Sequence, residues 1–204
     1  MMPVLALSWR RVWTAFFALA ALIAVVLLGG AASAMTLLPL DLAQLTGEAG
    51  RIFVGRVEDV QAGHDSNGLP AVWTTFAVDA ALKGPAVDHV TLKQLGTTFG
   101  GAGAPVVPHA GIPRYQRGEA VVLFVHPESA LGFTSPVGLG QGCFRILDRD
   151  GRQLTENDVG NHNLAVETLN ARTLGGTGGT GSSPAPLPLE ALLGRVRALV
   201  DATP

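Results

Sequence analysis

Cys143 is the only cysteine of this 204-residue chain, and it directly follows the run Gly-Leu-Gly-Gln-Gly of residues 138–142. A cysteine thiolate is a nucleophile when a nearby histidine lowers its pKa, and a glycine-rich loop before a helix binds phosphate through backbone N–H groups. No Cys-His signature surrounds Cys143, and no helix is predicted after the glycines. Because unpaired cysteine behaves mostly as a small apolar residue, the sequence favours a packing role. The alternative is a thiol-dependent hydrolase that uses Cys143.

The histidines and acidic residues do not form a metal-binding motif. The five histidines are scattered, without the close spacing that zinc ligands use. Asp65 beside His64 is typical of a turn. Asp148, Asp150 and Asn157 lack the spacing of a calcium-binding loop. The sequence also lacks a nucleophile elbow, a Walker loop and a zinc-protease helix motif, so we predict no metal, no cofactor and no catalytic residue.

A group of polar and aromatic residues lies where a long Gly- and Pro-rich loop, residues 97–114, leads back into a predicted strand. The group consists of Arg114, Tyr115, Arg117 and Glu119. Tyrosine and arginine are over-represented at binding hot spots, and structureless loops of this length are usually functional or disordered. We therefore predict that the loop and this rim form a contact surface. The alternative is that Tyr115 plugs the end of the domain while the charges face water.

Residues 1–34 have the layout of a secretory signal peptide. Arg10 and Arg11 precede an apolar run from Trp13 to Leu28, and small residues then end in Ala-Ser-Ala at Ala34. The apolar run is shorter than the roughly 20 residues of a bilayer-spanning helix. We therefore predict export to an extracytoplasmic place, periplasmic or secreted, with no membrane segment after cleavage. An uncleaved N-terminal anchor is the alternative.

The composition of the chain after residue 34 excludes several classes of protein. It holds 12 Lys and Arg against 16 Asp and Glu, which is too acidic for a nucleic-acid-binding protein. A single cysteine in an exported chain cannot form an intramolecular disulfide. Stability must therefore come from a hydrophobic core, which the aliphatic-rich composition can supply.

The hydrophobic pattern predicts about five strands between two helices. Alternating or continuous apolar residues predict strands at 51–62, 72–82, 90–95 and 120–126, with a further strand pair or one bent strand at 132–147. Residues 37–49 predict a short helix with Asp41 as its N-cap. Residues 188–202 have leucine and valine at i, i+3, i+4 and i+7, which predicts an amphipathic helix. We expect this second helix to dock on the domain, and a tethered helix that binds a partner is the alternative.

The glycines before Cys143 bear on how these strands assemble. Since residues i, i+2 and i+4 of a strand share a face, Gly138, Gly140 and Gly142 would leave one face bare and allow sharp coiling or the close approach of another element. We therefore predict a mainly β fold: a small, closed, antiparallel OB-like barrel with a short N-terminal helix and a linker-tethered C-terminal helix.

The order of motifs from residue 51 to residue 147 resembles that of a known group. The segments IFVGRV, FAVDAALKGP, VTLKQL, PRYQRGEAVVLFV and GFTSPVGLGQGCFRI are similar to netrin-like modules and tissue inhibitors of metalloproteinases, and more closely to bacterial exported proteins of the same layout. The resemblance implies an OB-fold barrel and, by analogy, a metalloproteinase as partner. The inhibitors depend on an N-terminal cysteine and several disulfides, whereas Met35 and Thr36 occupy the predicted mature N-terminus here. No inhibitory residue is therefore carried over by position.

These observations lead to four predicted segments and one predicted function. The segments are a signal peptide (1–34), the OB-like domain with its helix (35–155), an irregular segment with a Gly/Ser/Pro linker (156–187) and the C-terminal helix (188–204). We predict an exported, non-catalytic binding module that contacts another protein or an envelope component. Besides the hydrolase, a structural envelope protein held through its C-terminal helix is an alternative.

Overall fold

The computed structural model describes residues 38–98, 104–164 and 186–202. The predicted signal peptide and residues 165–185, which include most of the predicted linker, lie outside the described residues. The elements are α1 Leu42–Glu48, β1 Arg51–His64, β2 Pro70–Lys83, β3 His89–Thr98, β4 Val106–Pro108, β5 Ala120–Val125, a 3₁₀ helix η1 Leu139–Gly142, β6 Cys143–Arg149, β7 Arg152–Asn157, β8 Leu187–Pro188 and α2 Leu189–Asp201. No helix in these ranges is both long and apolar enough to span a bilayer.

The strands form one antiparallel sheet in the order β4-β3-β2-β1-β5-β6-β7-β8. The fold is mainly β, as predicted, but the sheet is open and does not show the closed barrel that the sequence led us to expect. Residues 133–136 lie near both β3 and β5 and form only single bridges, Lys93 with Phe133 and Val125 with Pro136. Hydrogen bonds from the Thr134 N–H to Lys93, from the His126 N–H to Ser135 and from the Val137 N–H to Phe124 accompany these bridges, without a named strand between β3 and β5.

The strand predictions at 51–62, 72–82, 90–95 and 120–126 are confirmed by β1, β2, β3 and β5. A five-residue turn joins β1 to β2, and the Asp65 carboxylate accepts from the N–H groups of Asn67 (2.9 Å) and Leu69 (2.8 Å). Gly68 follows with φ +76°, a left-handed conformation that glycine adopts without strain. The turn chemistry read from the sequence is therefore present.

β5 is buried on both faces, which explains its continuous apolar sequence. One face belongs to the helix-side core, where Val122 and Phe124 pack with Phe144 and with leucines of both helices. The other face belongs to the inner core, where Val121 and Leu123 pack with residues including Phe53, Phe76, Tyr115 and Cys143. The sheet thus separates two apolar clusters, and among the described residues the helices contribute to the helix-side core only.

Both predicted helices are confirmed, and the C-terminal one docks on the domain. The Asp41 carboxylate accepts from the Gln44 N–H (2.7 Å), and the Gln44 side chain accepts from the Asp41 N–H (2.9 Å), which completes a capping box at α1. In α2, the apolar positions Leu189, Leu192 and Val196 are buried in the helix-side core. The 3.6-residue periodicity therefore identified the buried face correctly.

The prediction of an extended glycine face at 138–142 is wrong. Gly138 (φ +59°) and Leu139 (φ +57°) are left-handed, and the 3₁₀ helix η1 carries the chain into β6. The glycines are needed because other atoms lie close: a Cβ on Gly140 would be 2.7 Å from Cβ of Asp158, and one on Gly142 would overlap the carbonyl oxygen of Val137. Close approach, not a bare strand face, thus accounts for this run.

Besides the two-residue strand β8, which pairs with β7, two longer strands were not foreseen from the sequence. The loop after β3 contains β4, whose residues pair with Gly96, Thr97 and Thr98, while residues 99–103 lie outside the described ranges. β7 pairs with β6 in a hairpin and extends to Asn157, in a region where the sequence signals are weak. Both strands are short or polar, so periodicity could not identify them.

Candidate functional site

The predicted rim, residues 114–119, is a tight turn held against β1. The N–H of Val57 donates to the carbonyl of Glu119, and the N–H of Gly118 donates back to the carbonyl of Val57, each at 2.8 Å. The Glu119 carboxylate also accepts from the N–H of Gln116 (3.0 Å). Gly118 takes φ +87°, which the turn requires. The backbone of the rim is therefore fixed by the sheet.

Tyr115 points away from the surface of this rim. It belongs to the inner core, is 8% exposed, and packs edge-on against Phe76 with ring centroids 5.2 Å apart. Its hydroxyl faces the Cys143 thiol, and no nitrogen or oxygen of the described residues forms a hydrogen bond with it. Burial raises the pKa of the Tyr115 phenol well above its ordinary value. The Tyr115 side chain therefore closes one end of the inner core. The neighbouring Arg114 and Arg117 are exposed and form the outer surface of the rim.

An ion-pair network fixes the charged residues of the rim. The Arg145 guanidinium from β6 pairs with the Glu119 carboxylate, donates to Asp158 Oδ1 (3.1 Å) and donates to the Arg114 carbonyl (3.2 Å). Charge-assisted hydrogen bonds of this kind hold a side chain in one geometry. Arg145 thus connects β6 to the rim turn and to the segment after β7.

A second ion pair lies at the outer side of the rim. Arg117 Nη2 is 2.6 Å from Asp59 Oδ1, and the Arg117 side chain is 74% exposed. Hydrogen bonds from Gln61 and from Arg117 lower the pKa of Asp59. The carboxylate therefore stays charged in mildly acidic solution. An exposed pair contributes little stability, so its main effect is to orient Arg117.

We name Arg56, Arg114, Arg117 and Arg145 the arginine rim. Arg56 Nη1 donates to the Gly118 carbonyl (2.9 Å), which places it beside the turn. Of the nearby carboxylates, that of Asp59 pairs with Arg117, and those of Glu119 and Asp158 pair with Arg145. Within residues 38–98, 104–164 and 186–202, no carboxylate pairs with the guanidinium of Arg56 or of Arg114. The rim therefore presents exposed positive charge on a chain that is acidic after residue 34.

Sequence reasoning identified only part of this site. Arg114, Arg117 and Glu119 lie in one turn and were found from residue type. Arg56 and Asp59 of β1, Arg145 of β6 and Asp158 after β7 were missed. The pairing of β1 with β5 and of β5 with β6 brings them together, and no local pattern encodes that proximity.

Cys143 is fully buried at the start of β6. Burial, together with the negative charge of Asp158, raises the pKa of the Cys143 thiol from 9.0 to about 12. A thiol with this pKa is almost entirely protonated at neutral pH and is a poor nucleophile. The environment therefore favours the packing role over the hydrolase alternative.

We expect Cys143 to resist iodoacetamide in the folded protein. At pH 8 its thiolate population is about a thousandfold below that of a thiol with the ordinary pKa, and burial also blocks access. Mass spectrometry should show complete alkylation in guanidinium chloride and almost none in the folded chain over the same time. Rapid alkylation of the folded chain would show that the thiol is reactive and would revive the hydrolase alternative.

A cleft of about 530 Å³ lies at the other end of β5 from the rim. Its walls are the first half of β3, the start of β1, residues 125–128 and Thr134. The cleft is partly apolar, with Val90, Leu92 and Val125 in its walls. His89 at its edge lies 3.2 Å from Glu58. No local sequence pattern indicates this cleft, because its walls come from four separate segments.

In the part of the chain that the structure describes, no three His, Cys, Asp or Glu side chains converge to hold a metal ion. Comparisons of the chain with protein-family models, curated proteins and solved structures found no match.

Proposed function

We propose that this chain is an exported, non-catalytic binding module that contacts an acidic surface of another extracytoplasmic protein through the arginine rim. The observation that carries the proposal is the pair Arg56 and Arg114, which have no carboxylate partner among the described residues and lie beside two more arginines. Guanidinium groups bind carboxylates with two parallel hydrogen bonds. Acidic side chains of a partner are therefore the natural ligands.

The rigidity of the rim supports this function. Arg145 holds the Arg114 carbonyl, Arg56 holds the Gly118 carbonyl, and Arg117 is oriented by Asp59. Side chains and loops that are already ordered lose little conformational entropy when a partner binds. Arginines on a turn whose backbone is fixed are thus a better contact surface than the same residues on a mobile loop.

The sequence of residues 1–34 supports export, and the hydrogen bonds of the first described residues are compatible with cleavage after Ala34. Gln141 accepts from the Leu40 N–H (2.8 Å) and donates to the Leu38 carbonyl (3.0 Å). Asn163 donates to the Leu40 carbonyl (2.8 Å). The chain is therefore held to the domain from Leu38 onward, so the loss of residues 1–34 would remove none of these contacts.

An OB-like path of the chain belongs to the same proposal. The β1–β2–β3 meander, the pairing of β1 with β5, and the position of residues 133–136 between β3 and β5 support it. Such folds bind many kinds of partner, so the path alone does not specify a ligand. The analogy with metalloproteinase inhibitors lacks a residue to carry it, because the N-terminal cysteine is missing.

The two alternative functions, a thiol-dependent hydrolase and a structural envelope protein, have less support. A hydrolase would need an accessible thiolate, and Cys143 is buried with a raised pKa. A structural protein held through α2 would need a free apolar face, and Leu192 and Val196 of that helix are buried in the helix-side core.

Charge reversal on the rim tests the proposal. The wild-type chain is recovered from the extracytoplasmic fraction, where its first residue should be Met35, and is used to capture and purify a partner. For the variant R56E/R114E we expect about tenfold to hundredfold weaker binding, since like charges then meet across the contact. Calorimetry or surface plasmon resonance at two salt concentrations should also show wild-type binding weakening as salt rises.

The matched control is R149E/R152E, which makes the same change in net charge on the exposed β6–β7 hairpin. Both variants should keep the wild-type circular dichroism spectrum. Equal binding by R56E/R114E and the control would contradict the assignment of the contact to the rim.

A further inference from the structure

The first half of β3 is an uncovered edge of the sheet. β4 covers residues 96–98 of β3, and the bridge to Phe133 covers Lys93. Between His89 and Leu92 the side of β3 that faces away from β2 has no paired strand in the described part of the chain. This segment lines the cleft.

The backbone groups of this edge face the cleft. Asp88 accepts from Val78 on β2, whereas the Lys93 carbonyl accepts from the N–H of Thr134 on the opposite side. Hydrogen-bonding direction alternates along a strand, so His89 and Thr91 direct their N–H and C=O groups to the same side as Lys93, away from β2. The cleft therefore has two donors and two acceptors at the spacing of a missing neighbour strand.

Residues 89–92 lack the features that usually prevent another strand from pairing with an edge strand. Natural edge strands are commonly blunted by proline, by lysine, by a bulge or by a covering element. Residues 89–92 contain none of these devices, and their pairing with β2 is regular. Among the apolar residues of the cleft, Val87 is 40% exposed and Val90 is 8% exposed, and these two would contact side chains of an added strand.

We propose that the cleft binds an extended segment of a partner polypeptide, which adds to β3 as a neighbouring strand. The uncovered edge is four residues long, about 13 Å, so three or four residues of the partner should bind, with apolar side chains at alternate positions. The site is distinct from the arginine rim, which lies at the opposite end of β5, and the proposal does not depend on the rim.

Peptide binding tests this inference. The exported chain, labelled with ¹⁵N, is titrated with capped hexapeptides that have Val, Ile or Leu at alternate positions and Thr, Ser or Lys between them. We expect at least one to bind and to slow amide hydrogen exchange at Thr91 about tenfold or more, as a backbone hydrogen bond forms there. N-methylation of the peptide at alternate positions should abolish binding, and at the intervening positions it should not.

Two substitutions at Thr91 distinguish the contribution of its backbone N–H to peptide binding from that of its side chain. T91P removes the edge N–H, which makes no bond to β2, and proline is tolerated on edge strands. T91A keeps the N–H and loses only the side-chain contact to Thr75 (2.9 Å between hydroxyl oxygens). We expect T91P to weaken peptide binding about tenfold and T91A to preserve it.

Several results would overturn the proposal. Thr91 N–H protected from exchange in the free chain would show that the edge is already covered, a result that needs no variant to fold. A failure of all the hexapeptides to bind, or equal binding by T91P, would exclude strand addition here. A dimer in analytical ultracentrifugation that T91P dissociates would assign the edge to a second copy of this chain instead.

Discussion

Replacing Gly142 with alanine is expected to destabilise the protein by about 3 kcal/mol or more, because the new Cβ has no space. It would overlap the carbonyl oxygen of Val137 and lie 3.2 Å from the carbonyl oxygen of Phe124. These are backbone atoms on either side of the hydrogen bond from the Val137 N–H to Phe124 (2.8 Å), which holds residues 133–137 against β5. Neither can move without breaking that contact.

Chemical denaturation followed by fluorescence or circular dichroism measures this loss, and natural domains have about 5–15 kcal/mol in total. The matched control is G194A in α2, where nothing lies within 4 Å of the added Cβ. Because alanine favours helix over glycine, G194A should stabilise the protein by about 0.5–1 kcal/mol. Equal effects of the two substitutions would show that the packing around Gly142 is looser than described.

Replacing Asn157 with alanine is expected to cost about 3–5 kcal/mol, since three buried hydrogen bonds and one partly buried hydrogen bond disappear together. The Asn157 amide donates to the Gln141 carbonyl (3.0 Å) and to Asn163 Oδ1 (2.8 Å). Its Oδ1 accepts from the N–H groups of Asn161 (2.7 Å) and Val159 (3.3 Å). The partners at Gln141, Asn161 and Asn163 are buried, so most of these groups would be left without water or protein to bond.

The consequences should reach the start of the domain, because Gln141 and Asn163 also hold the chain at Leu38 and Leu40. We therefore expect N157A to lower the unfolding free energy and to make residues 38–40 sensitive to limited proteolysis. N67A in the exposed β1–β2 turn is the matched control and should change stability by about 0.5 kcal/mol or less. Wild-type stability for N157A would mean that the network contributes nothing.

The buried asparagine network also shows why residues 155–164 were hard to predict. Asparagine is typical of turns and surfaces, and a stretch rich in it has no hydrophobic period. Its side chains are ordered here because the backbone of η1 and of residues 38–40 supplies the complementary groups. Those partners are about 16 to 123 positions away in sequence, so no window along the chain contains the information.

The glycine run before Cys143 is a second segment whose conformation the local sequence did not determine. Residue type correctly indicated that a close approach was possible near Gly140 and Gly142. The strand assignment was wrong, because these residues lie in the 3₁₀ helix η1 and not in an extended strand. Whether such a run is extended or turned depends on what lies against it, here Val137 and Asp158. Hydrophobic periodicity reports on the secondary structure of one segment. It carries no information about the distant residues that pack against that segment.

The sequence by itself determined the elements whose signal is local. The strand alternation of β1 to β3, the apolar run of β5, the Asp41 cap and the buried face of α2 follow from hydrogen bonding and side-chain periodicity within a few residues. Only the tertiary structure decided that the sheet stays open, that Arg145 and Arg56 join the rim, and that β3 borders a cleft. These features arise from pairing between distant segments, where the free energy of one contact depends on all the others that bring its partners together.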